Sequence, residues 1–174
     1  MTLQIIPSMD FSYLTKADYL FSGLSNLKYV GDIDLSGATS CRNLFDGGNN
    51  IVSIGNINTS SATVIDLPGQ ANTVLQRIES FSVKQITGFR YTYSKSVRYM
   101  VVKDIGTNEN CGAYNFYYAD NWGVSNDAVP DARQSVIDSL LTYSFNRSAA
   151  GYEPVAINLF ASHFSTFFTD EEIS

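Results

Sequence analysis

Histidine occurs once in this chain, at His163, and cysteine only twice, at Cys41 and Cys111. A zinc site needs several close Cys or His ligands, and a nucleophilic triad needs a histidine between a hydroxyl or thiol and a carboxylate. Nothing in the sequence sets a nucleophile near His163, so it reads as structural. Two cysteines do not make a disulfide framework, and both read as free thiols. Charged residues are also scarce, at 16%, and the net charge is −6. The basic footprint of a nucleic-acid binder is therefore missing, and an anionic membrane surface is a poor partner. No apolar run reaches the ~18 residues of a membrane span. The opening M-T-L-Q-I-I-P-S-M-D lacks the charged start, apolar stretch and cleavage site of a secretion signal.

What is present is apolar and aromatic. Hydrophobic residues make up 44% of 174, and eleven Tyr and eleven Phe bring the aromatic share to 13%. That is enough for one continuous core, and a tyrosine-rich surface suits recognition.

Shifting the sequence against itself by 24 residues aligns apolar positions in five columns: Ile6/Val30/Ile54/Ile78, Met9/Ile33/Ile57/Phe81, Phe11/Leu35/Thr59/Val83, Ala17/Cys41/Ile65/Phe89 and Leu27/Ile51/Leu75. Within one period, Leu27, Val30, Ile33 and Leu35 read L-x-x-V-x-x-I-x-L, ending on the alternation of a short strand. The rest of the period, with Ala38, Cys41, Leu44 and Phe45 spaced by three and four, predicts a short helical or 3-10 return. A strand plus a tight return every 24 residues is a leucine-rich-repeat unit, and such units must stack to bury their apolar edges. Cys41 falls in a core column and is expected to be buried. Gly31 and Gly55 share a column where a tight bend welcomes a residue without Cβ. A fifth start, R-Y-M-V-V-K-D-I-G with Val97, Met100 and Val102, comes about two residues early. The expected fold is an α/β repeat solenoid, with about five coils over 1–122 and a cap over 123–174, in one continuous unit.

The cap is expected to hold a helix over about 131–145. Pro130 sits at its first turn, Asp127 lies upstream as a capping group, and Val136, Ile137, Leu140, Leu141 and Phe145 fall on one stripe. N-R-S-A-A-G with Gly151 is its exit loop. Val155, Ile157 and Leu159 alternate as a last strand pairing onto the sheet. T-D-E-E, from Thr169 to Glu172, is a capping box with only Ile173 and Ser174 after it, as in a cap that stops early.

Four segments carry a resemblance: S-V-R-Y-M-V-V-K-D-I-G, Y-N-F-Y-Y-A-D-N-W-G, P-D-A-R-Q-S-V-I-D-S-L-L-T-Y-S-F-N-R-S-A-A-G and F-T-D-E-E-I. With the repeats before them they resemble the BspA-like leucine-rich-repeat proteins of gut bacteria and their phages, over nearly the whole chain. That family continues past T-D-E-E-I into a short helix and a K-G-aromatic stretch, which this sequence does not contain. The resemblance implies binding rather than catalysis. For the phage branch it implies a virion-associated tail or fibre part that recognises a host-surface glycan or protein. A bacterial cell-surface adhesin fragment and a structural spacer within a fibre are the other readings, and trimerisation like that of phage fibres is possible by analogy only.

Two groups of residues qualify as a ligand site. Strand parity puts Ser8, Asp32, Asn56 and Ser80 in one outward ladder, and Asp10, Asp34, Asn58 and Ser82 in another. Such a strip could take a sugar, a peptide or a hard cation, although outward strand positions are ordinarily polar. Calcium needs six or more converging oxygens, which a flat ladder does not supply. Asp32 and Asp34 as a glycosidase pair would lack a cleft. The second group is aromatic: Tyr91, Tyr93, Tyr99, Tyr114, Phe116, Tyr117, Tyr118 and Trp122. Phe116, Tyr118 and Trp122 suit the junction between repeats and cap, whereas Tyr91 and Tyr93 suit a binding face. The expected site is Asp10, Asp32, Asp34, Asn56, Asn58, Tyr91 and Tyr93, with no catalytic residue, metal or cofactor.

Overall fold

The computed structural model describes residues 3–68, 72–87, 99–104, 108 and 110 in full, and the backbone of three further strands at 89–93, 114–118 and 157–160. In chain order the strands are β1 (Ile5–Ile6), β2 (Met9–Asp10), β3 (Tyr29–Val30), β4 (Ile33–Asp34), β5 (Ser40–Cys41) and β6 (Ser53–Asn58). They continue as β7 (Val64–Ile65), β8 (Arg77–Ser82), β9 (Phe89–Tyr93), β10 (Tyr99–Lys103), β11 (Tyr114–Tyr118) and β12 (Ile157–Phe160).

Every pairing among these strands is parallel, and the first four passes advance by one period: Ile5 lies beside Tyr29, Tyr29 beside Ser53, and Ser53 beside Arg77. The described residues form a parallel β-solenoid of about four turns. The main sheet takes five successive passes, β1 with β2, β3 with β4, then β6, β8 and β10. On the return side β5 pairs with β7, and β9, β11 and β12 form a three-stranded sheet.

The 24-residue columns are the core. Ile6, Val30, Ile54 and Ile78 lie one above another, all buried, and Met100 extends the stack. Ile33, Ile57, Phe81 and Val102 form the second stack, and Leu27, Ile51 and Leu75 the third. Within the strands, inward positions are three apart at Ile54 and Ile57 because the main sheet bends between them, and the first two passes break there into paired short strands. The early fifth start is real: Met100 pairs with Ile78, 22 residues back. A register shift between Met100 and Val102 then removes one residue from the bend.

Thr59 shows how a polar residue fits a core column. It is fully buried, its Oγ1 donates to the Ser82 carbonyl at 2.8 Å, and it accepts from the Ser82 amide at 3.1 Å. Thr59→Val keeps the shape but strands both Ser82 groups, so it should cost about 1–3 kcal/mol in urea unfolding. Thr59→Ser, which keeps the hydroxyl, should recover most of that; equal losses in both variants would contradict this role.

One expectation changes. The returns are hydrogen-bonded turns and short strands, and no helix occurs among the described residues. The three-and-four spacing of Ala38, Cys41, Leu44 and Phe45 does bury all four. The backbone leaves the right-handed region at Asn43 (φ 49°) and Gly47 (φ 77°), and at Tyr19 and Gly23 one period earlier, which stops a helix from propagating. The glycine column lies in the bend, as expected, and leaves no space for a Cβ. Gly31 and Gly55 are not at positive φ; they make room for the pass before. A Cβ on Gly55 would lie 2.5 Å from Asp32 Oδ1, and one on Gly31 would lie 2.5 Å from the Ser8 amide nitrogen.

The expected helix at 131–145, the boundary at 122/123 and the capping box at 169–172 lie outside the described residues. From the expected last strand, Ile157 and Leu159 belong to β12, which pairs with β11 on the return-side sheet rather than the main one.

Among the described residues, the first pass has a strand neighbour on one side only. Leu3, Ile5 and Met9 are exposed there, and Met9 is 41% exposed although its column mates are buried. Pro7, between β1 and β2, removes one backbone donor from this edge, which discourages strand addition.

Candidate functional site

The outer surface of the main sheet carries the two polar ladders where the bend exposes them, and each ladder has a structural task. The first runs between passes. Ser8 Oγ accepts from the Asp32 amide at 3.0 Å. Asp32 Oδ1 accepts from both the backbone amide and the Nδ2 of Asn56, at 2.8 and 3.0 Å. Asn56 Oδ1 accepts from Ser80 Oγ at 2.7 Å. The second ladder works within each pass. Asp10 Oδ1 accepts from the Ser12 amide at 2.8 Å, and Asp34 Oδ1 from the Ser36 amide at 2.9 Å. Asn58 Oδ1 takes the same bond from Ser60, at 3.4 Å. These side chains hold the corner where the strand ends, as Asp and Asn do in turns.

Between the ladders lies an open groove of about 380 Å³, lined by Ser8, Met9, Asp10, Asp32, Ile33, Asp34, Asn56 and Asn58. It contains five of the seven expected site residues. The exposed strip ends at the third pass, because Ser80 and Ser82 are buried in the fourth, with Ser82 Oγ donating to Asp104 at 2.5 Å. Tyr91 and Tyr93 are not in this groove. They lie on β9, whose pairing with β11 sets Tyr91 beside Phe116 and Tyr93 beside Tyr118.

The groove is rich in acceptors. Asp10, Asp32 and Asp34 each accept a backbone amide through Oδ1. The one ion pair among the described residues is elsewhere, between Arg77 and Glu79, with the Arg77 guanidinium 3.9 Å from the centre of the Tyr99 ring. The Asp10 carboxyl is held below its ordinary 3.8 by its hydrogen bonds with Ser12. Three carboxylates and two amides on a fixed backbone suit a ligand that brings hydrogen-bond donors or positive charge. No group of three or more His, Cys, Asp or Glu among the described residues is arranged to hold a metal ion.

Sequence reasoning missed two further ladders. Thr39 donates both its amide and its hydroxyl to the Thr15 carbonyl, at 3.0 and 3.2 Å, and Thr63 does the same to Thr39 at 2.9 and 3.1 Å. The signal was present, since Thr15, Thr39, Thr63 and Thr87 fall at the same period. On the return side Asp18 Oδ1 accepts from Ser40 Oγ at 2.5 Å and from the Arg42 amide at 2.8 Å, joining the first pass to the second. Cys41 lies in the core beside this clasp. Burial first, and then the charge of Asp18, pushes its thiol up to about 12, so it stays protonated at neutral pH.

The Asp18 clasp predicts an acid dependence. The Ser40 hydroxyl and then the Arg42 amide hold the Asp18 carboxyl below its ordinary 3.8. Its contribution is therefore complete above the unfolded-state value and is lost as pH falls through the lower folded-state value. Thermal midpoints measured from about pH 7 down to about pH 2.5 should fall less steeply below pH ~4 for Asp18→Asn than for the parent. Parallel acid limbs would remove Asp18 from the explanation.

Comparison of the chain with protein-family models, with curated proteins and with solved structures finds no match.

Proposed function

We propose that this chain is a non-enzymatic recognition module: a leucine-rich-repeat solenoid of the BspA-like kind, carried on a phage virion as a tail or fibre part, that binds a glycan or protein of the host surface. The observation that carries the binding reading is the acceptor-lined groove on the main sheet. Its walls are set before any ligand arrives, because each carboxylate is already anchored through one oxygen by a neighbouring pass or its own turn. Little side-chain entropy is then lost on binding. The repeat class is supported by the L-x-x-V-x-x-I-x-L spacing at period 24. The virion setting is supported by the resemblance of segments such as P-D-A-R-Q-S-V-I-D-S-L-L.

The test is binding of the purified chain to arrayed bacterial surface glycans and cell-envelope proteins, repeated with the double variant Asp10→Asn/Asp34→Asn. Asparagine still accepts the turn hydrogen bond, so the fold is kept while two charges leave the groove. Losing charged hydrogen bonds should weaken binding roughly tenfold or more. Binding unchanged by the double variant would reject the groove as the site. Mass spectrometry of purified phage particles tests the setting; recovery from the bacterial envelope alone would favour an adhesin.

A further inference from the structure

We draw no further inference here: the strongest candidate, the exposed apolar edge of the first pass at Leu3, Ile5 and Met9, carries nothing because nothing in the structure shows what covers it.

Discussion

Phe81→Ala should be the most damaging single truncation, lowering stability by about 3–5 kcal/mol in urea unfolding. Phe81 is fully buried and heads the largest side chains of the core. It sits between Ile57 of the pass before and Val102 of the pass after. Removing its ring opens a void that two passes line, and both are pinned by parallel hydrogen bonds that resist collapse into it. Phe81→Leu, which keeps most of the volume, should cost well under half as much. A loss below about 1.5 kcal/mol for the alanine variant would mean that neighbouring passes slide freely, contrary to the stacking described above.

Gly55→Ala is the second large effect, although it adds a single methyl group. That methyl would lie 2.5 Å from Asp32 Oδ1 and 2.7–2.8 Å from the Gly31 carbonyl carbon and oxygen. Two of these atoms are backbone, and the third is the carboxylate oxygen that holds Asn56 in place. The passes must part or the ladder must break, at about 2–3 kcal/mol. Gly23→Ala is the control. Gly23 has φ +76° but nothing within 4 Å of a Cβ, so its cost should be only the left-handed strain of ~1–2 kcal/mol. The two variants should also part on the groove. Gly55→Ala should impair ligand binding through Asp32, while Gly23→Ala should leave it intact. If both glycine variants lose the same stability and neither alters binding, the close approach of passes at Gly55 is not what that residue is for.

The stacked columns were legible because burial repeats with the chain: a position buried in one pass is buried in the next, and Ile54 under Ile78 follows from spacing alone. Outward ladders were legible for the same reason, by parity. Their tasks were less so. Whether Asp32 reaches the next pass or its own turn depends on a side-chain torsion, and periodicity carries no information about that. The turns of the second ladder left a readable trace all the same, in D-x-S at Asp10–Ser12 and Asp34–Ser36 and N-x-S at Asn58–Ser60. The return legs misled because a spacing of three and four describes which residues point inward. A run of tight turns and an α-helix can share that spacing, and the left-handed positions at Asn43 and Gly47 decide between them. Tyr91 and Tyr93 belong to the second candidate group, and the structure keeps them apart from the acidic strip. β9 belongs to the return-side sheet, so the fourth pass had already turned the corner before those residues.

The 24-residue offset that relates the first four passes also bears on how that part of the molecule comes together. Each of these windings closes a loop of the same length onto a template that is already laid down, so the entropic toll per step is nearly uniform. Growth across these four passes can proceed winding by winding without any distant segment having to be found. Under tension applied along the stack, the same regularity should release the chain in increments of near-equal contour length.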